Sequence, residues 1–400
     1  MTKITTDTIS GADAYPRQKC DVELGERSYP IHIGQNLLSD AGKILRDEAK
    51  IAVTRRLFII SDEHVARLHA EKLQKSLTSA GYRHELLILP SGESTKSFAQ
   101  LEKICAWLLG HKIDRQAVGV ALGGGVMGDL VGFAAAVTLR GLDFVQIPTS
   151  LLAMVDSAVG GKTGINTAQG KNLVGAFHQP QLVLADLNVL KTLPMRELRA
   201  GYAECVKHAL IDGGGFLPSL EKHGANLFTD ADILSYDNVS LLVEVISHSC
   251  RTKAEIVGKD EREKLGGRRA LLNLGHSFAH AIEGFCQYDG RVLHGEAVAV
   301  GLGLAARLSA ELGMCRLAVA ERIETHLRQV GLPTKLADFK GVSFTTHRLI
   351  EIMQNDKKMV NGLLGFILIA SKDNSEFNVL QNNQVPPELV QQILQESLGG

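Results

Sequence analysis

Short apolar runs punctuate the first half of the chain, separated by stretches in which apolar positions recur every three or four residues. Residues 22–33 alternate about a Gly-Glu-Arg turn and predict a hairpin. Residues 56–61, 85–89, 117–122, 144–147 and 182–185 are compact apolar runs of the kind a sheet buries on both faces. Helical patterns lie between them, over about 37–49, 64–80 and from 97 to about 109. Strands alternating with helices predict a doubly wound, mostly parallel α/β sheet. From Pro194 the period becomes 3.6, with helical patterns over about 195–211, 238–258, 270–286, 294–312, 317–330 and 346–355. Residues 361–369 read as a late strand pair, and about the last fifteen as a loose polar helix. The expected layout is a disordered extension over 1–18, an α/β domain over 19–190 and a mainly helical domain over 191–400. The joining Lys191-Thr-Leu-Pro194 is short, so the active site is expected in the cleft between the domains.

Composition narrows the function classes. An apolar content of 45% and a charged content of 22% are those of a soluble globular protein. A net charge of −1 provides no electrostatic case for nucleic acid or an anionic membrane as partner. Six cysteines are scattered without a C-x-x-C pair, which argues against a disulfide framework or a cysteine-rich zinc site and fits a reducing cytoplasm. No apolar run is long enough for a transmembrane helix, and the polar N-terminus lacks the apolar core of a signal peptide.

Two constellations carry chemistry. The first lies between Leu122 and Pro180, where an apolar run ends in Gly123-Gly124-Gly125 and Gly123, Gly125 and Gly128 satisfy G-x-G-x-x-G. Glycines let backbone approach an anion, and a helix N-terminus offers free N–H groups and partial positive charge. By itself the motif fits a tight turn into a close-packed helix equally well. Gly160-Gly161-Lys162 and Gly170-Lys171-Asn172 follow, and the three segments together point to more than one phosphate, or a phosphate and a carboxylate. Asp62, at the end of the 56–61 run, suits either a ribose hydroxyl or the N-cap of the next helix. In the second constellation, His276 and His280 are spaced i, i+4, His294 begins a later helix, and Glu204, Lys207 and His208 share a face of an earlier one. Two histidines and a carboxylate leave an open position on a divalent metal, the arrangement of catalytic zinc. Spacing nominates His276 and His280 as the pair and leaves the carboxylate open.

Taken together these segments resemble the 3-dehydroquinate synthase family of sugar phosphate cyclases, over about residues 22–370. G-G-G-V-M-G-D from Gly123, R-G at Arg140, P-T-S-L-L-A-M-V-D-S-A-V-G-G-K-T-G-I-N from Pro148 and G-K-N from Gly170 occur in family order. A-G-Y-A-E-C-V-K from Ala200, L-N-L-G-H-S-F-A-H from Leu272, H-G-E-A-V-A from His294 and D-K-K from Asp356 follow. The resemblance implies an NAD-containing enzyme with zinc or cobalt. It would convert 3-deoxy-D-arabino-heptulosonate 7-phosphate to 3-dehydroquinate and phosphate in the shikimate pathway.

Carried over residue by residue, the resemblance makes Glu204, His276 and His294 the metal ligands and turns His280 into an acid/base residue. NAD is expected along Asp62, Glu93, Lys96, Gly124, Gly125, Val126, Asp129, Thr149 and Ser150, with Lys162, Lys171 and Thr192 close by. Substrate is expected to meet Asp156, Lys162, Asn172, Lys207, Lys253, Arg269, Asn273, His280 and one of Lys357 and Lys358. Catalytic roles fall to His280, Glu263, Lys162 and Asp156. Arg140 would reach a neighbouring subunit's site, which implies a homodimer. A carboxylate and a phosphate on one substrate explain why so many cations are needed. Three departures stand out. Ala158 replaces a usual serine and Ser277 a usual threonine, and the segment K-L-G-G-R between Glu263 and Arg269 is about two residues longer than the family's, so the placement of Glu263 is open and Arg268 competes with Arg269. The rival readings are a valiolone or inosose synthase type of cyclase, a glycerol-dehydrogenase-like enzyme and a non-catalytic NAD-binding module.

Overall fold

A computed structural model describes residues 17–229, 233–264, 266–355, 359–360, 363–372 and 376–399. They form two compact units. The first takes in the described residues up to Pro194 together with 233–258; the second takes in 195–229 and the described residues from 259 onward.

The first unit is built on a seven-stranded sheet. Its strands are β1 (Gln18–Val22), β2 (Tyr29–Gly34), β3 (Leu57–Asp62), β4 (His84–Leu89), β5 (Val118–Gly123), β6 (Asp143–Pro148) and β9 (Leu182–Asp186). Between β6 and β9 the chain makes a separate hairpin of β7 (Lys162–Thr167) and β8 (Gly170–Phe177). The sheet order is β1-β2-β9-β6-β5-β3-β4, and every pair except β1 with β2 is parallel. The runs expected to be strands are strands, and β5 and β9 are buried at every residue. The predicted 22–33 hairpin is the β1–β2 pair, with β1 ending at Val22 rather than starting there.

The chain passes from β3 to β4 on one side and then crosses back to β5 on the other. This is a topological switch point, where the strand ends splay and open parallel sheets bind ligands at their carboxyl ends. Asp62 ends β3 and Gly123 ends β5.

The β7–β8 hairpin was not expected, because its glycines hide the alternation. They are there because the strands approach closely: a Cβ on Gly175 would lie 2.0 Å from the Thr163 carbonyl. The predicted 64–80 helix runs from Glu63 to Ser79, with a wider π-helical turn over Ala66–Ala70. The helix Tyr236–Lys259 joins the first unit along most of its length, so the domains do not divide at a single boundary near 190. It is fastened by Cys250 Sγ, 3.3 Å from the Met154 carbonyl, and by the Ser247 carbonyl, 3.9 Å from Cys20 Sγ.

The second unit packs around the helix His294–Glu311, whose run V-A-V-G-L-G-L-A-A is buried on every side. The helices Met195–Ile211, His276–Phe285 and Leu317–Gln329 lie against it. The expected 270–286 helix is two pieces: a 3-10 turn over Arg268–Asn273, then left-handed Gly275, then the helix proper from His276. Strands β10 (Met359–Val360), β11 (Leu363–Ala370) and β12 (Asn378–Val385) form an antiparallel sheet. The late apolar run is therefore mainly one central strand and not a pair within itself. The C-terminal helix Pro387–Ser397 is amphipathic and buries Val390, Ile393 and Leu394.

Gly295 permits a close helix crossing. A Cβ there would lie 1.8 Å from the Ala200 carbonyl, so the helix beginning at His294 and the one carrying Ala200 touch backbone to backbone. Gly295→Ala is expected to lower the thermal midpoint by roughly 2–12 °C, the equivalent of about 1–3 kcal/mol of overpacking. Gly110→Ala, at a position with nothing nearby, should leave it unchanged or slightly raised. Equal midpoints for the two variants would contradict this packing.

Candidate active site

Glu204 stands inside the helix Met195–Ile211 with no solvent exposure, and Lys207 one turn on is 1% exposed. The two carboxylate oxygens divide their surroundings. Oε2 contacts Lys207 Nζ, while Oε1 lies 3.5 Å from His276 Nε2 and 3.3 Å from His294 Nε2. The other nitrogen of each imidazole is engaged elsewhere: His276 Nδ1 lies 3.1 Å from the Leu274 carbonyl, and His294 Nδ1 lies 2.9 Å from Glu283 Oε2. Both rings are thus oriented with Nε2 toward one carboxylate oxygen, as metal-binding imidazoles are held by outer partners.

The donor atoms of Glu204, His276 and His294 lie within 4.8 Å of one another. Metal–ligand bonds of ~2.0–2.1 Å in a tetrahedron put ligands ~3.4 Å apart, close to the separations from Glu204. The residues therefore fit a divalent metal. Burial, and then the Lys207 cation, drive the His276 pKa well below its ordinary value. At His294 burial opposes the charge, but Glu283 and Glu204 prevail and hold it at about 10. In the metal-free chain one imidazole is neutral and the other carries a proton that an entering cation would displace.

His280 is half-buried, its ring edge-on to His276 at 5.5 Å between centroids. The trio that converges is Glu204, His276 and His294, and not the His276–His280 pair that spacing favoured. Glu283 was missed, although it lies seven residues after His276 on the same helix, a spacing that returns to the same face.

In the second unit, Arg269 is 1% exposed, its guanidinium on the Glu261 carbonyl and its backbone N–H donating to Asp260 Oδ2 at 3.2 Å. Arg268 is exposed, so of the two arginines Arg269 points inward. Asn273 Nδ2 donates to Glu263 Oε1 at 3.3 Å, and Glu263 has a left-handed backbone with φ of 51°. Lys357 and Lys358 lie outside the described residues.

In the first unit, Lys253 is buried and its ammonium donates to both Asp156 Oδ1 and the Asp156 carbonyl at 2.7 Å. Lys162 is exposed at the start of β7, and Arg140 is exposed with φ of 67°. Lys96, buried, joins Asp129 Oδ2 at 2.5 Å to Asn172 Oδ1, so residues assigned to cofactor and to substrate share one network. Burial raises the Asp129 pKa, and Lys96 opposes the rise. Glu93 accepts from Asn166 Nδ2 at 2.7 Å and lies 3.8 Å from Lys171. Thr192 Oγ1 is 2.9 Å from His69 Nε2.

The switch point carries the glycine turn. Gly124 precedes the helix Gly125–Val137 as its N-cap, with half-buried Val126 in the first turn. A Cβ on Gly124 would meet Ser150 Oγ at 3.5 Å, one on Gly125 would meet Ser157 Oγ at 3.1 Å, and one on Gly123 would come 3.6 Å from Asp62 Oδ2. Thr149 N–H closes the turn on the Gly123 carbonyl at 3.0 Å. Asp62 is an N-cap, its Oδ1 accepting from the His64 and Val65 N–H groups and from Ser91 Oγ, each at 3.0 Å. Its Oδ2 faces the glycine turn. The cradle of side-chain-free backbone beside a carboxylate fits a dinucleotide.

The family model described as 3-dehydroquinate synthase N-terminal matches residues 86–200, and the C-terminal one matches 201–359. The 3-dehydroquinate synthase of Rhodospirillum rubrum is 51% identical over 91% of this chain and 93% of its own. The chain belongs to the 3-dehydroquinate synthase family. The Paracoccus denitrificans 3-dehydroquinate synthase is 46% identical over 94% of this chain and 98% of its own. Among solved structures, the 2-epi-5-epi-valiolone synthase ValA from Streptomyces hygroscopicus, with NAD+ and Zn2+ bound, superposes with a TM-score of 0.79 at 26% identity, over 94% and 98% of the chains.

Glu283→Gln removes the charge that orients His294 while keeping the shape. Zinc affinity, measured by competition with a chromophoric chelator, is expected to fall about 10- to 100-fold. Unchanged affinity would show that Glu283 does not serve the site.

Proposed function

We propose that this chain is a 3-dehydroquinate synthase. It converts 3-deoxy-D-arabino-heptulosonate 7-phosphate to 3-dehydroquinate and phosphate, as a cytoplasmic homodimer with NAD and zinc or cobalt. The observation that carries the reading is the Glu204–His276–His294 cluster, with Glu204 and His276 buried and His294 half-buried, in a chain whose curated relatives bear that name over nine-tenths of its length. When bound, NAD and the metal supply reversible hydride exchange and Lewis-acid polarisation of the reacting oxygens.

The chain's own residues do the rest. Lys162, Lys207, Lys253, Arg269 and one of Lys357 and Lys358 serve as the cations for a doubly anionic sugar acid phosphate. Asp156 fixes the Lys253 ammonium by two hydrogen bonds and so sets where that charge lies. Asn172 and Asn273 orient hydroxyls. His280 moves a proton near the metal cluster without being a ligand, and the carboxylate of Glu263, held by Asn273, is the second proton-handling group. Asp62 and the backbone of Gly124, Gly125 and Val126 hold NAD, with Glu93, Lys96, Asp129, Thr149, Ser150, Lys171 and Thr192 around it. Arg140 reaches the site of the second subunit.

A second reading is a cyclase for a sugar phosphate without a carboxylate, favoured by the likeness to ValA. Purified protein is expected to release phosphate from the heptulosonate phosphate over many turnovers per NAD, to stop on chelation and to resume when zinc returns. His276→Ala and Lys162→Ala should each nearly abolish release, and His280→Ala should lower kcat about 10²- to 10⁴-fold. Release only from the uncarboxylated heptulose phosphate would select the second reading, and full activity of His276→Ala would overturn the metal assignment.

A further inference from the structure

We propose that Arg196 and Glu296 form a positioning pair that sets two of the three ligand-bearing helices, Met195–Ile211 and His294–Glu311, in the register a metal requires. This rests on the reading of Glu204, His276 and His294 as metal ligands. Arg196, Ala200 and Glu204 are spaced i, i+4, i+8 along the helix Met195–Ile211 and so lie on one face. Each meets a successive residue in the first turn of the facing helix. Glu204 Oε1 lies 3.3 Å from His294 Nε2, the Ala200 carbonyl abuts Gly295, and Arg196 clasps Glu296.

The clasp is bidentate, with Arg196 Nε donating to Glu296 Oε1 at 2.6 Å and Nη2 to Oε2 at 2.7 Å. The same Nη2 donates to the Arg291 carbonyl at 2.7 Å, and Glu296 Oε2 accepts from the Leu293 N–H at 2.9 Å. One carboxylate therefore caps the helix that starts at His294 and ties it, and the residues leading into it, to the first turn of the helix that carries Glu204. The Arg196 side chain is 53% exposed, and an ion pair that exposed ordinarily contributes little to stability. Its geometry does something a charge pair alone would not. The Gly295 contact is a pivot, about which the helices can still slide or rotate, and a planar two-point fork on the far side of the pivot from the ligands removes that freedom. Metal affinity depends on such outer restraint of the ligands, typically by 10- to 100-fold.

The test is the rate at which zinc-loaded full-length protein gives up zinc to a chromophoric chelator, with the thermal midpoint of the metal-free protein measured alongside. Arg196→Met and Glu296→Gln are each expected to speed zinc loss about tenfold, with little change in the metal-free midpoint. Glu296→Gln keeps an oxygen for the Leu293 cap and so separates the clasp from the cap. If the two residues act as one device, Arg196→Met combined with Glu296→Gln loses zinc no faster than either alone, and Arg196→Lys, with a single-point cation, falls between Met and wild type. Unchanged zinc loss in both single variants, multiplied effects in the double variant, or zinc loss that only tracks a fall in the metal-free midpoint would overturn the proposal. A wild-type chain that takes up no zinc would overturn the metal reading itself, which is distinct from failure of the clasp alone.

Discussion

The Glu204 carboxylate is out of contact with water, and an ionised carboxylate in that position must be met by positive charge. Lys207 meets one oxygen, and two imidazole nitrogens face the other. Much of the second unit follows from this constraint. The helix that carries Glu204 must approach the helix that begins at His294 more closely than side chains allow, and Gly295 permits it. The 3-10 turn and left-handed Gly275 place His276 at the first position of its helix, where its Nδ1 meets a carbonyl two residues back. Glu283 then fixes the second ring. None of these contacts gains much alone. Together they hold three donor atoms at separations that suit a small divalent cation.

The first unit obeys a different constraint, that of parallel strand topology. Reversal of strand order between β4 and β5 leaves the carboxyl ends of β3 and β5 side by side. The glycine turn and the Asp62 carboxylate both sit there because those strands end there. The Lys96 ammonium, neutralised by Asp129, reaches across to Asn172.

Much of this was legible in the sequence because burial on both faces leaves short apolar runs bounded by turn residues. β3, β5, β6 and β9 announce themselves that way, and the helices of the second unit do so by their 3.6 period. The glycine-rich β7–β8 hairpin did not, since its residues are chosen for close backbone approach and carry no alternation. The membership of the helix Tyr236–Lys259 in the first unit was also invisible, because a helical period says which face is buried but not against what. The site divides in the same way. The i, i+4 spacing of His276 and His280 is real, yet neighbours on a helix need not face the same point, and the two donors that meet His276, Glu204 and His294, come from two other helices. Resemblance to the family supplied that choice. Neither spacing nor resemblance pointed to Glu283 or Arg196, whose work is done through other residues. The choice between Arg268 and Arg269, left open by the sequence, is visible only in the fold: Arg268 is exposed, while Arg269 is enclosed with its guanidinium on the Glu261 carbonyl and its backbone N–H on Asp260.

The most direct test of the central claim is the X-ray absorption spectrum of zinc-loaded wild-type protein beside that of Glu204→Gln, with metal content determined on the same samples. One zinc per chain is expected in the wild type, bound by two imidazole nitrogens and oxygen with no sulfur, with a much reduced zinc content once Glu204 loses its charge. Wild-type protein without stoichiometric zinc, a sulfur ligand in its spectrum, or an unchanged spectrum and content in Glu204→Gln would contradict it.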